Sequence, residues 1–119
     1  MPVVRFEDAQ HVQREPGVRS TLVVGPSIGS ERMSTGFTTF ESGAEIPPHR
    51  HYSEEAVTVV EGEGFCEVAG ERFDMRPLDT VYIPALAVHR VVNPGPGRLR
   101  IHWSRPAVNV ERLPPEGDA

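Results

Sequence analysis

An all-β domain, either a sandwich or a barrel, is the fold class this 119-residue sequence predicts. Two observations carry it. Short apolar runs with period-two alternation, rich in β-branched and aromatic residues, recur along the chain, separated by glycine and proline turn signals every roughly eight to twelve residues. No stretch shows the 3.6-residue period of an amphipathic helix.

The elements follow in order. Residues 1–20 carry Pro2, Pro16 and Gly17 among mixed charges, and the apolar start at Val3, Val4 and Phe6 reads as an edge strand. Strands are predicted at 20–24, 33–40, 46–51, 56–60, 64–68, 71–75, 80–83, 89–92 and 99–105. Breakers stand between them, among them Gly25-Pro26, Pro47-Pro48, Arg76-Pro77 and Asn93-Pro-Gly-Pro-Gly97. In Glu61-Gly-Glu-Gly64 the glycines suit the positive φ of a tight hairpin. Residues 1–105 are read as the barrel. The remainder, 106–119, has too little apolar content for a core and reads as an extended, partly disordered arm, in which Val108 and Val110 can add an edge strand to a neighbour.

The most informative segment is Gly43-Ala-Glu-Ile-Pro-Pro-His49-Arg-His51-Tyr-Ser-Glu-Glu55. Two histidines one residue apart on a strand project from one face, so both imidazoles can reach a single ion. Glu55, four residues past His51, keeps to that face if the strand runs on, and adds a carboxylate oxygen. His89, in a second apolar run, is the candidate fourth ligand. Taken singly, an H-x-H pair also fits two exposed residues, and a lone histidine beside valines also fits a core residue bonded to a carbonyl.

Together these segments resemble the cupin superfamily, whose first motif is G-x-x-x-x-x-H-x-H-x-x-x-E-x-x-x-x-x-x-G. Gly43, His49, His51, Glu55 and Gly62 match it without a gap. Pro84, His89 and Asn93 match the second motif, while Leu78 and Leu86 stand where that motif has glycine, which bears on the turn before His89. The resemblance covers roughly residues 34 to 104. It implies a double-stranded jelly-roll barrel, a hairpin between its halves ending near Met75, and a homodimer formed through exchanged N-terminal strands and an apolar outer face.

Three imidazoles and a carboxylate suit one divalent first-row ion, Fe, Mn, Ni, Cu, Co or Zn, and the lack of nearby thiols argues against a structural zinc site. Because ligation needs unprotonated histidine, free imidazole chemistry predicts metal loss as pH falls through the ~6.5 region and below. Alternation turns Val57, Val59 and Val91 toward the site. His102 and Trp103 face opposite ways, so only one can line a pocket; His102 is a candidate proton-transfer group or else a surface or core histidine. Tyr82 is a candidate through its hydroxyl, with packing as the plainer role, as for Tyr52. Glu54 reads as a surface charge, and Cys66 as a small buried residue.

A net charge of −5, no lysine and scattered arginines argue against nucleic acid or an anionic membrane as partner. The missing lysine also removes Schiff-base chemistry. No run approaches a membrane span and no signal-peptide pattern opens the chain, so a cytoplasmic location is expected. The resemblance implies a metal-dependent enzyme acting on a small molecule. The leading class is an O2-dependent dioxygenase working on a chelating diketone or enol. Isomerase, lyase or polyketide cyclase chemistry is the alternative, as is a metal-binding or ligand-binding module without turnover.

Overall fold

The computed structural model describes residues 3–109 and 111–117. Among the described residues, ten strands form two antiparallel sheets: β1 (Gln10–Glu15), β2 (Val18–Val24), β3 (Ser34–Phe40), β4 (Glu45–His49), β5 (Glu55–Glu61), β6 (Gly64–Val68), β7 (Glu71–Met75), β8 (Thr80–Ile83), β9 (His89–Val92) and β10 (Leu99–Arg105). The six-stranded sheet runs β1-β2-β3-β10-β5-β8 and the four-stranded sheet β4-β9-β6-β7. This is the jelly-roll arrangement, with the core between the sheets. No helix among the described residues is long and apolar enough to cross a membrane.

Alternation decides which side chains enter the core. In β5, Glu55, Val57 and Val59 are buried while Ala56 and Thr58 between them are less so, and in β10 Leu99, Ile101 and Trp103 point inward. Phe40, Ile83 and Leu99 are almost wholly buried, each stabilising the fold by about 1.5–3 kcal/mol relative to exposure. Gly36 lets β3 lie flat against the Trp103 indole, since a Cβ there would fall 2.4 Å from the ring and from the Thr21 carbonyl. Asn93 is part of the scaffold: its buried amide donates to the carbonyls of Phe40, Glu41 and Gly97, tying β9 to the end of β3 and to the following loop.

Two expectations are corrected. The N-terminal edge strand is Gln10–Glu15, not the stretch at Val3 to Phe6; residues 3–5 are irregular and Phe6–Asp8 is a 3-10 turn whose Phe6 ring packs on His11 and Phe37. The strand expected over 46–51 ends at His49, and its ladder to β9 shifts register between Ile46 and His49, where Pro47 and Pro48 lack the N–H groups a ladder needs. Arg50 instead pairs with Leu113: its N–H reaches the Leu113 carbonyl at 3.2 Å and the return bond is 2.8 Å. Residues 111–117 are thus laid along the barrel, with the Arg50 guanidinium donating to the carbonyls of Pro114 and Gly117. Val108 is half-buried in irregular chain, and Val110 lies outside the described residues.

The turns around Leu78 and Leu86 keep a glycine's backbone without a glycine. Leu78 has φ 77° and Leu86 φ 64°. Leu78 occupies the third position of the turn Arg76-Pro77-Leu78-Asp79, closed by the Asp79 N–H on the Arg76 carbonyl at 3.0 Å, the position at which a type II turn demands positive φ. A leucine there costs roughly 1–2 kcal/mol against the right-handed region, and Leu78, 80% exposed, recovers little by burial. Leu78→Gly is therefore expected to stabilise the protein by about 1 kcal/mol, less the extra entropy glycine adds to the unfolded chain. A denaturation midpoint that stays put or falls would show that this turn is not strained.

Candidate metal centre

His49 ends β4 and His89 begins β9, and the register sets them directly opposite each other. His51 follows two residues on, held by the pairing of Arg50 with Leu113. All three rings are buried. Each donates its Nδ1 proton to a backbone carbonyl: His49 to Pro47 at 2.8 Å, His51 to Glu111 at 2.8 Å and His89 to Ala87 at 2.9 Å. A carbonyl can only accept, so a neutral ring keeps its proton on Nδ1 and offers Nε2 as a lone pair. One ring nitrogen from each histidine lies within 4.8 Å of the others. The Nε2 of His89 is buried without a hydrogen-bond partner, an expensive state for a polar atom that a shared cation would relieve.

Glu55 joins them from the other sheet. The chain turns at Tyr52 and Ser53, so the carboxylate arrives as the first residue of β5 and not by continuation of the histidine strand. Its Oε1 lies 3.5 Å from His89 Nε2, a favourable contact when that ring carries both protons and a meeting of two acceptors when it does not. Its Oε2 accepts from Arg105 Nε at 2.5 Å, and Arg105 Nη2 approaches His51 Nε2 at 3.2 Å. The guanidinium thus serves two of these acceptors as a cation would. Burial pushes the Glu55 carboxyl up, but His89, Arg105 and His51 together outweigh it and hold it at about 2. Burial, reinforced by neighbouring cationic and imidazole groups, holds His49 down at about 3 and His51 at about 4.

Protons compete for His49 and His51 near and below pH 4, so the loss of a bound metal is expected to extend well below the ~6.5 of free imidazole.

Three buried histidines that can bind a metal, with a carboxylate beside them and no thiol among them, fit a first-row divalent ion. The site opens into a cavity of about 60 Å3, walled by Val57, Val91, Ile101 and Trp103. Val59 is buried deeper, beneath that wall. His102 stands apart from the three histidines: alternation turns it to the opposite face of β10, where it stacks edge-on against Phe37, while Trp103 takes the cavity side. Tyr82 also stands apart, 59% exposed and donating its hydroxyl to Glu54 at 2.8 Å on the outside of the barrel. Tyr52 is likewise exposed. Cys66 is buried, its thiol pushed up to about 12 by burial, and so holds no thiolate at neutral pH.

Sequence reasoning missed the arginines. Arg14 from β1, Arg105 from the end of β10 and Arg112 from the C-terminal segment all line the cavity. Arg112 pairs with Glu15 at 2.7 Å. Sequence reasoning also missed that the C-terminal segment orients a candidate ligand, through the Glu111 carbonyl on His51. Partners of this kind fix ring orientation and tautomer, and their loss typically costs about 10–100-fold in metal affinity. A chain ended after Asn109 is expected to lose about that much affinity for zinc in a competition titration. Unchanged affinity would mean that His51 needs no such anchor.

Residues 36–105 match the family model described as Cupin domain, and the chain belongs to that family. It is 30% identical over 93 residues to dimethylsulfoniopropionate lyase DddW of Ruegeria pomeroyi, covering 78% of this chain and 60% of that protein. It is 32% identical over 78 residues to 5-nitrosalicylic acid 1,2-dioxygenase of Bradyrhizobium sp, covering 66% and 36%. Among solved structures, the polyketide cyclase RemF of Streptomyces resistomycificus superposes with a TM-score of 0.80 at 21% identity, over 96% of this chain and 82% of that one, a likeness of fold. The chain spans between 36% and 65% of the length of the curated relatives it matches.

Proposed function

We propose that this chain is a metal-dependent cupin enzyme. In this reading His49, His51, His89 and Glu55 hold one divalent transition metal ion, and the leading reaction class is O2-dependent dioxygenation of a small chelating substrate such as a diketone or enol. The observation that carries it is the set of three buried imidazoles whose Nδ1 protons are all tied to backbone carbonyls, leaving Nε2 lone pairs grouped beside a carboxylate. When bound, such an ion supplies Lewis acidity and coordination positions for substrate and O2. His89, Arg105 and His51 together keep Glu55 ionised, so the carboxylate is ready as a donor at neutral pH. Val57, Val91, Ile101 and Trp103 limit water around the reacting groups.

A second reading, lyase or cyclase chemistry without redox, is favoured by the likeness to DddW and uses the same side chains. Oxygen uptake separates the two. Protein loaded anaerobically with Fe(II), Mn(II), Ni(II), Cu(II), Co(II) or Zn(II) is given a panel of β-diketones and enols in air, and the dioxygenase reading expects stoichiometric O2 consumption with at least one redox-active metal. Turnover without O2 consumption would transfer the assignment to the redox-neutral class, and no turnover with any metal would leave a binding module. A homodimer is part of the proposal. Sedimentation showing only a 13.1 kDa species would remove that part.

A further inference from the structure

The chain is acidic overall, yet its cavity is not. Arg14, Arg105 and Arg112 come from three separate parts of the sequence to line one small space. Against these three guanidinium groups stand two carboxylates: Glu55, paired with Arg105, and Glu15, paired with Arg112. One positive charge is left over before any metal is counted. It belongs to Arg14, an exposed side chain that makes no ion pair among the described residues. An excess of positive charge gathered at one concave site, on a protein carrying −5 overall, serves to draw in and orient a negative ligand.

We propose that the cavity takes a small organic carboxylate, held at its outer end by Arg14 with help from Arg112, and facing the histidine cluster at its inner end. Guanidinium groups match carboxylate geometry, and two can share one carboxylate. The cavity volume of about 60 Å3 sets the size, since each water-sized occupant needs about 10–15 Å3 of such space. That leaves room for a ligand of a handful of heavy atoms. The walls beneath the arginines are mostly apolar, with Ser20 and Thr38 as uncharged polar members, so the charge on the ligand is read at the arginine end. Arg105 is committed to Glu55 and His51, and Arg112 is paired with Glu15, which leaves Arg14 as the anion's main partner. This inference deepens the enzymatic reading and rests on it for what the ligand meets at the inner end.

Trp103 provides the readout. It is the chain's single tryptophan, it lines the cavity, and the Arg105 guanidinium lies 4.6 Å from its ring. Its fluorescence is followed while malonate, or its neutral isostere malonamide, is titrated into the protein with and without bound zinc. Malonate is expected to bind at least about tenfold more tightly than malonamide, as suits loss of a charged hydrogen-bond partner. Arg14→Gln should weaken malonate by about tenfold with metal content unchanged, and Arg14→Lys should recover part of the loss. Equal binding of malonate and malonamide, binding of neither at millimolar concentration, or malonate affinity untouched by both Arg14→Gln and Arg112→Gln would overturn the proposal. A malonate preference that persists in metal-free protein supports the anion site by itself, so failure of the metal reading and failure of this one are told apart.

Discussion

Replacing Arg105 with glutamine is expected to destabilise the metal-free protein by about 3–5 kcal/mol, the range for breaking a buried ion pair by removing one partner. The two side chains are 10% and 5% exposed, so solvent cannot take over from the missing guanidinium. Glutamine leaves the Glu55 carboxylate buried with a much weaker partner, and the melting temperature should fall by roughly 10 °C or more. The pH dependence gives the mechanism away. In the native protein Glu55 is held at about 2, below its ordinary value of 4.5, so its contribution is fully present above pH 4.5 and is lost as pH falls through about 2. Without Arg105 that carboxyl is free to take up a proton in the folded state, so the gap between variant and parent should narrow as pH drops from 7 toward 4. Glu55→Gln combined with Arg105→Gln should recover most of the loss, since no charge is then left unpaired. Saturating zinc should also narrow the gap, because a cation beside Glu55 replaces the lost guanidinium. A loss under 1 kcal/mol that is flat with pH would mean that the pair is not coupled as its geometry indicates.

The second large effect is on metal binding. His89→Ala removes the nitrogen that has no protein partner, and the affinity for a divalent first-row ion should fall by about two orders of magnitude or more, measured by competition with a chromophoric chelator. The fold should survive, because the core of Phe40, Ile83, Leu99 and their neighbours does not depend on this ring. In the parent, metal should stay bound at pH 5.5 and come off near pH 4, where His51 and then His49 take up protons. The sign for stability agrees. Both imidazoles are depressed in the folded state, so the unfolded chain gains protons first and the metal-free fold loses stability as pH falls below ~6.5, down through about 4 and 3. Release already complete at pH 6.5 would contradict this expectation.

What the sequence could reveal depended on whether the signal was local. Nine strands were legible because each carries its own alternation, as in Leu99-Arg-Ile-His-Trp-Ser-Arg105, where the inward residues are also the apolar ones. The strand Gln10–Glu15 was not, because Gln-His-Val-Gln-Arg-Glu at a sheet edge buries little and carries no apolar alternation; the apolar residues just before it drew the reading instead. The histidines were legible from their spacing and from the family motif. The role of Arg105 was not, because its pairing with Glu55 spans 50 residues and exists only once β10 lies beside β5. The same holds for the arginine cavity, whose members are separated by most of the chain. Leu78 and Leu86 hid a left-handed backbone because leucine does not announce one, whereas the glycine expected at those positions would have.

One measurement bears most directly on the claim that His49, His51 and His89 form a metal centre: elemental analysis of the protein purified without chelator and without an affinity metal. About one equivalent of a divalent first-row metal per chain, absent from the His49→Ala variant purified alongside, is the expected result. Protein that is folded and metal-free, and that takes up none when offered iron, manganese, nickel, copper, cobalt or zinc, would contradict it.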